Sequence, residues 1–297
     1  MNRRNEITIV VSCDTQYLVL LAALIKSIEA NVATSVKVDL YIVEDDISVP
    51  DKRKLELSSD PVITAIHWKK MAEVIPAGMK LPLDKTSFPL NIYMRLFIPY
   101  FVPEGTEKVL FMDVDMISQK DVSLLFNTEL GDHVIAAVQD PRIKTFDNPW
   151  GGVINYKELG LSGDTKYFNA GTFLLNIKKW KEIRVTERVI QCIEENRNFA
   201  NYPDQYGLNI VLAGQWLQLD PLWNHFADNG GVSPYIIHFI ERKPIYKSYT
   251  NDPIYREVFF KYLKLTKWSD FEPIDESKRY IKKLRNVFQK VKMSIFG

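Results

Sequence analysis

The sequence predicts an α/β fold in which helices cover both faces of a mixed, mostly parallel sheet. Short apolar, β-branched runs typical of buried strands alternate along the chain with segments of helical spacing. Strands that alternate with helices pair as a mostly parallel sheet. The chain has 297 residues, 46% of them hydrophobic, which is enough for one substantial core.

The predicted elements follow one another without an internal repeat. They are a strand over 7–12, a helix over 17–31, a strand over 36–43, a helix over 48–58, a strand over 62–67 and a strand over 109–112. Residues 140–163 carry prolines and glycines and predict a long loop that borders a site. The pattern breaks near Pro273, so we expect a catalytic unit over 1–272 and a separate tail over 273–297.

Composition excludes several classes of protein. The net charge of +1 gives no general attraction for nucleic acid, and we expect no nucleic-acid partner. The two cysteines, Cys13 and Cys192, are too few for a disulfide framework or a thiolate metal site, which favours a reducing cytoplasm. The N-terminal residues 1–6 and the short apolar run after them fit neither a signal peptide nor a membrane span.

Two carboxylates follow the apolar strand over 109–112. Asp113 and Asp115 alternate along an extended segment, which would place both on one side and within reach of one hard cation such as Mg²⁺ or Mn²⁺. A bare Asp-x-Asp also arises by chance as a solvated strand end. Here the strand end would face a crevice shared with Asp14, which follows the first strand, and a cation there would neutralise a departing diphosphate.

Seven short stretches of the chain carry recognisable motifs in a fixed order. They are residues 12–17, 93–96, 111–115, 167–171, 203–205, 237–239 and 243–244. Taken together, these stretches resemble the motifs of glycosyltransferase family eight, which includes bacterial lipopolysaccharide galactosyl- and glucosyltransferases and glycogenin. The similarity covers roughly residues 7–245 and implies a GT-A type, Rossmann-like nucleotide-sugar fold.

The resemblance also implies roles for individual residues. Asp14 and Tyr17 would hold the uracil of a UDP-sugar, and Asp113, Asp115 and His238 would ligate Mn²⁺ or Mg²⁺. Lys243 would hold the diphosphate, although its spacing departs from the family pattern and Arg242 is an alternative. The residues implied for the donor sugar are Arg95, Asn169, Asp204 and Gln205, and Asp140 would lie near them and face either the donor or the acceptor.

The family retains the anomeric configuration of the transferred sugar. Gln205 would lie where a double-displacement nucleophile is expected, and an amide is a poor nucleophile. We therefore expect front-side displacement, in which the leaving phosphate oxygen helps to deprotonate the acceptor. A covalent glycosyl adduct on Gln205 or Asp204 would contradict this.

Each of these residues also has a purely structural interpretation. His238 lies in an apolar run and could be a hydrogen-bonded core histidine, and Arg95 could be an ion-paired surface residue. Asn169 could be a turn residue with left-handed geometry, and Asp204 could cap a helix. Cys13 is expected to be a small buried filler.

The tail from Ser277 onward contains no acidic residue and predicts a basic amphipathic helix. Such a helix could pack on the domain as a solvated element, or it could attach the protein to anionic lipid of the inner leaflet. The second interpretation suggests a cytoplasmic, peripheral membrane enzyme whose acceptor is a saccharide or lipid-linked saccharide of the bacterial surface. The cations of the tail are Lys278, Arg279, Lys282, Lys283, Arg285, Lys290 and Lys292. Its aromatic and aliphatic residues are Tyr280, Ile281, Leu284, Val287, Phe288, Val291, Ile295 and Phe296.

The predicted function is transfer of glucose or galactose from a UDP-sugar to a saccharide acceptor. Two alternatives stay open at this point. One is a glycogenin-like initiator that glucosylates itself, for which none of the 14 tyrosines is marked as the acceptor. The other is a non-catalytic module that binds a UDP-sugar.

Overall fold

The computed structural model describes residues 6–296, without the side chains of Lys278 and residues 294–296. The expectation that the N-terminus forms no signal peptide or span falls largely on residues 1–5, outside this part. The side chains of Ile295 and Phe296 in the predicted tail also lie outside it.

Within residues 6–296, ten strands form two sheets. The strands are β1 (Glu6–Ser12), β2 (Lys37–Glu44), β3 (Thr64–Lys70), β4 (Lys108–Met112), β5 (Met116–Ser118), β6 (Ile135–Gln139), β7 (Phe168–Asn176), β8 (Trp216–Gln218), β9 (His225–Phe226) and β10 (Ile236–His238). The large sheet has the order β3-β2-β1-β4-β7-β6-β8, and the small one has the order β5-β10-β9. In the large sheet β7 is antiparallel to both neighbours, and the other pairs are parallel. The predicted mixed, mostly parallel sheet is confirmed.

Helices connect these strands and cover both faces of the large sheet. They are α1 (Leu18–Asn31), α2 (Val49–Glu56), α3 (Met71–Val74), α4 (Ile98–Phe101), α5 (Val122–Phe126), α6 (Ile177–Glu182), α7 (Val185–Glu195), α8 (Pro203–Val211), α9 (Pro253–Leu263) and α10 (Ser277–Phe296). One buried apolar cluster includes α1 and α9, and a second includes α6, α7 and α8. No helix over residues 6–296 is long and apolar enough to cross a membrane.

Side-chain caps set element boundaries that hydrophobic spacing misses. The Asp14 carboxylate accepts a hydrogen bond from the Tyr17 amide and starts a 3₁₀ turn, so that the α-helix begins only at Leu18. The predicted strand over 62–67 begins at Thr64 instead, because the Asp60 carboxylate accepts a hydrogen bond from the Val62 amide and holds a turn there. Val62 is exposed rather than part of the sheet.

The reversed direction of β7 decides where functional residues meet. Met112 at the end of β4 pairs with Thr172, and Gln139 at the end of β6 pairs with Phe168. The beginning of β7 therefore lies at the same edge as the carboxyl ends of β1, β4 and β6. In an α/β sheet this edge is where ligands bind.

Candidate active site

A cavity of about 430 Å³ opens at this edge of the sheet. This volume is within the usual range for small-molecule sites. The long loop after β6 borders it, as the sequence predicted. Every site residue expected from the sequence lines this cavity: Asp14, Tyr17, Arg95, Asp113, Asp115, Asp140, Asn169, Asp204, Gln205, His238 and Lys243.

Asp113, Asp115 and His238 form a cluster that can hold a metal ion. One ligand atom from each lies within 4.8 Å of the others. The two aspartates lie in a bend between β4 and β5, so the expectation of one extended segment is wrong. The bend still brings the carboxylates together. Two carboxylates and an imidazole suit Mn²⁺, and the carboxylates also suit Mg²⁺.

Asn224 orients His238 and was not found from the sequence. The Asn224 side chain is buried, and its Oδ1 lies 2.8 Å from His238 Nδ1. Since Oδ1 can only accept, Nδ1 carries the proton and Nε2 is left as the free ligand nitrogen. His238 Nε2 is 3.4 Å from Asp115 Oδ1. Nothing in the residue spacing marks Asn224, because a 3₁₀ turn over Pro221–Asn224 places it.

Replacing Asn224 with leucine is expected to weaken Mn²⁺ binding by roughly 10–100-fold, the usual effect of losing an outer partner of a metal-bound histidine. Titration calorimetry with Mn²⁺ measures the change. Asn155→Leu is the matched control, because Asn155 is also buried and hydrogen-bonded but lies outside the cavity. Equal Mn²⁺ affinity in the two variants would contradict a role for Asn224 in orienting the histidine.

Two cations compensate the charge of the aspartates. The Arg95 guanidinium lies 2.8 Å from Asp113 and 3.2 Å from Asp204, and it stacks on Phe111. The Lys243 ammonium contacts Asp115. Burial raises the pKa of Asp113 to about 6, although the nearby Arg95 opposes this shift. Burial acts in the same direction on Asp115, but Lys243 and His238 outweigh it and hold the pKa of Asp115 well below its usual range.

Gly171 allows β7 to approach the cluster closely. A Cβ atom at this position would lie 2.5 Å from the His238 ring and 3.1 Å from the Asp113 carboxylate. The Gly171 carbonyl also accepts a hydrogen bond of 2.7 Å from the Asp113 amide. The absence of a side chain therefore fits the strand against both groups.

A second group of polar side chains lies beside the cluster. The Asp140 carboxylate accepts hydrogen bonds from the Asn169 and Gln205 amides, at 2.9 and 3.4 Å, and from the backbone of residues 142 and 143. The Gln205 Oε1 accepts from the Ala170 backbone amide at 2.9 Å and from Asn169 at 3.2 Å. These contacts hold three side chains in one fixed arrangement.

Several structural interpretations of these residues are wrong. Asn169 lies within β7 rather than in a left-handed turn. Asp204 lies in the first turn of α8, whose N-cap is Tyr202, and its carboxylate is paired with Arg95. Arg95 is buried in a 3₁₀ segment over Leu90–Phe97 and is not a surface residue. Cys13 is buried as expected, and burial raises the pKa of its thiol.

The Asp14 end of the cavity holds an unexpected partner. The Lys282 ammonium of α10 lies 2.5 Å from Asp14 Oδ2 and 3.4 Å from the centroid of the Tyr17 ring. Arg279, Lys283 and Asn286 of the same helix also line the cavity. The predicted basic helix over the tail is confirmed, and it packs across the site. Arg242 instead pairs with Glu276.

Comparisons with solved structures first establish the fold. The chain shares its fold with the galactosyltransferase LgtC in complex with donor and acceptor sugar analogs, with a TM-score of 0.72 at 20% identity over 89% of this chain and 99% of that chain. The apo bifunctional glycosyltransferase WbbM gives a TM-score of 0.72 at 23% identity over 90% of this chain and 51% of that chain. The predicted GT-A fold is thereby confirmed.

The sequence profile described as glycosyl transferase family 8 matches residues 8–245, and the chain belongs to this family. General stress protein A of Bacillus subtilis (strain 168) is 26% identical over 289 residues, which are 90% of this chain and 96% of that protein. A probable glycosyl transferase Gly of Streptococcus gordonii is 31% identical over 201 residues, 64% of this chain but only 26% of that protein. The predicted family and the class of glycosyltransferase are confirmed.

Proposed function

We propose that this protein is a metal-dependent retaining glycosyltransferase that moves a hexose from a UDP-sugar to a saccharide acceptor. The observation that carries the proposal is the single cavity that joins three groups. Asp14 and Tyr17 lie at one end, the Asp113, Asp115 and His238 cluster lies next, and the Asn169 network follows. The order matches a donor built from base, diphosphate and sugar.

The charge of the cavity supports a donor accompanied by a divalent cation. Six acidic residues line it against three basic residues from outside α10, so a diphosphate of two negative charges needs an accompanying cation of two positive charges. The acidic residues are Asp14, Asp113, Asp115, Asp140, Asp204 and Glu241, and the basic residues outside α10 are Arg95, Arg142 and Lys243.

Asp113, Asp115 and the Nε2 atom of His238 would hold the metal. When bound, it supplies a Lewis acid that neutralises negative charge on the departing diphosphate. Lys243 is the better candidate for a contact to the diphosphate, because it lines the cavity while Arg242 does not. Its ammonium would then shift its contact from Asp115 toward the phosphate and stabilise the same charge.

The hydrogen bonds of Gln205 support front-side displacement. Its amide oxygen already accepts from the Ala170 backbone and from Asn169, so its lone pairs are engaged. In this mechanism Gln205, Asp140 and Asn169 position the sugar through its hydroxyl groups, and the leaving phosphate oxygen accepts the proton of the acceptor. The buried Asp204 stays paired with Arg95 and does not attack.

The acceptor is proposed to be a saccharide of the bacterial surface, carried on lipid at the inner face of the membrane. The support is the surface of α10, whose exposed apolar side chains alternate with lysine and arginine and include Leu284 and Phe288. Such a helix binds an anionic membrane surface through apolar burial and charge together. The enzyme would then act as a peripheral protein close to its acceptor.

The proposed function is tested with a panel of UDP-sugars. UDP release is measured with and without Mn²⁺, in the presence and absence of saccharide acceptors, and the configuration of the product is read by NMR. Metal-dependent release from one hexose donor with retention supports the proposal. UDP binding with no turnover on any acceptor would identify a non-catalytic module, and mass increases in hexose steps on the protein itself would identify a self-glycosylating initiator.

A further inference from the structure

The nucleoside end of the cavity is covered by the chain itself. Lys282 of α10 lies on the face of Tyr17 and pairs with Asp14. A base cannot stack on Tyr17 or bond to Asp14 while an ammonium group lies there. Since these are the two residues proposed above for uracil, Lys282 and the donor compete for one place.

Polar contacts predominate in holding α10 on the protein. Besides the Lys282 contacts, Asn286 donates a hydrogen bond of 2.9 Å to the Ser87 carbonyl, and the Lys290 ammonium lies 2.6 Å from Asp84. Lys282, Asn286 and Lys290 follow a spacing of four residues and so lie on one face of the helix. Met293 packs against the apolar cluster near the same face.

The opposite face of α10 is apolar and faces away from the protein. The spacing of its side chains is that of a single helical stripe. Phe288 is 71% exposed and Leu284 is 61% exposed. The stripe consists of Tyr280, Ile281, Leu284, Val287, Phe288 and Val291, all of them exposed. The helix is therefore inverted with respect to an ordinary surface helix, which buries its apolar face.

The charge around the stripe fits an anionic lipid surface. Lys283 flanks it on one side, and Arg285 and Lys292 flank it on the other, while no acidic residue follows Glu276 in the sequence. A second copy of the same stripe would bring cations against cations. An interfacial membrane helix has this composition, with cations beside an apolar stripe that enters the headgroup region.

We propose that α10 is a strap that closes the nucleoside end of the donor cavity and that docking of its apolar stripe on an anionic membrane opens it. This inference rests on the proposed function. Release frees Lys282 and Lys290 from Asp14 and Asp84, so the lipid gains two cations that the closed state withholds. Each lysine near such a surface adds roughly fivefold in affinity, and this difference shifts the strap toward the open state.

The strap is tested first by calorimetric titration of the full chain with UDP. Lys282→Gln removes the competing ammonium, and Lys290→Gln loosens the helix at a position that does not line the cavity. If the closed form predominates tenfold, both variants bind UDP up to about tenfold more tightly. Lys292→Gln is the matched control, since it removes an equal charge from the exposed flank and should leave the affinity unchanged.

Unchanged or weaker UDP binding in Lys282→Gln would contradict the proposal that α10 is a strap. Lys282 would then either have no effect on UDP binding or form part of the UDP site. Equal binding by all chains would overturn the strap alone and leave the proposed function intact. Absence of UDP binding in every chain would overturn both.

The lipid is tested with phosphatidylglycerol vesicles, and phosphatidylcholine vesicles serve as the control. Phosphatidylglycerol should tighten UDP binding by the full chain by about tenfold and should have less effect on Lys282→Gln, which is already open. UDP should tighten vesicle binding by the same factor, since the linkage is reciprocal. Vesicle binding that leaves the UDP affinity unchanged would contradict coupling between membrane docking and the donor site. A dimer of the unaltered chain that Phe288→Glu dissociates would instead show that a second copy covers the apolar stripe of α10.

Discussion

Replacing Asp115 with asparagine should lower kcat for sugar transfer by about 10³-fold or more. Asp115 contacts Lys243 and lies 3.4 Å from His238 Nε2, so its charge organises both the metal ligands and the cation proposed for the diphosphate. Asparagine keeps the shape and removes the charge. Loss of one electrostatic contact to a developing charge costs about 10²–10³-fold in kcat, and weakened metal binding adds to that loss. Steady-state kinetics at the Mn²⁺ concentration that just saturates the unaltered chain measure the effect.

Asp39→Asn is the matched control for this prediction. Asp39 also pairs with a histidine, His67, at 2.8 Å, but it lies on β2 outside the cavity. We expect its kcat to stay within about twofold of the unaltered chain, because a partly exposed pair of this kind contributes little. A kcat for Asp115→Asn within tenfold of that control would contradict the assignment of the metal site.

Replacing Arg95 with methionine should lower the free energy of unfolding by about 3–5 kcal/mol. Arg95 is buried between Asp113 and Asp204, and its removal leaves the buried Asp204 carboxylate and the partly exposed Asp113 carboxylate without their shared counter-charge. Burial already raises the pKa of both carboxyl groups, so protonation relieves part of this cost. The loss should therefore not exceed that of one broken buried pair. Urea unfolding at neutral pH measures it.

Arg142→Met gives the comparison, because Arg142 also bridges two carboxylates, those of Asp228 and Glu241. Its side chain is 29% exposed, against 7% for Arg95. Solvent screens the two ion pairs of Arg142, so the free energy of unfolding should fall by only about 0–1 kcal/mol. Equal losses in the two variants would show that burial of Arg95 does not govern the energetics of the cluster.

Much of the fold was predictable from the sequence because buried parallel strands leave continuous apolar runs. The first, second and fourth strands were placed within one residue at each end. The third was misplaced because its start depends on the Asp60 turn, which hydrophobic spacing does not record. The direction of β7 was also not predicted, since an apolar run has the same composition in either direction.

The residues expected in the site came from motifs shared with the family, and all of them line the cavity, whereas lining or supporting residues outside those motifs were missed. Asn224 accepts a hydrogen bond from His238 and donates one to Asn169, and only the three-dimensional structure brings these residues together. Lys282 was recognised as part of a basic amphipathic helix, but amphipathicity does not say which face meets the protein. Here the polar face does, because Asp14 and Asp84 offer carboxylates to it. Whether the tail forms a separate unit stays a prediction.

The antiparallel course of β7 divides the donor site between two stretches of chain. The residues proposed for the nucleoside follow β1, whereas those proposed for the sugar lie after β6, at the start of β7 and in α8. The metal cluster, with Gly171 packed against it, lies between the two stretches. A change in the preferred hexose can therefore arise from substitutions within residues 140–205 that leave the residues proposed for the nucleoside unaltered.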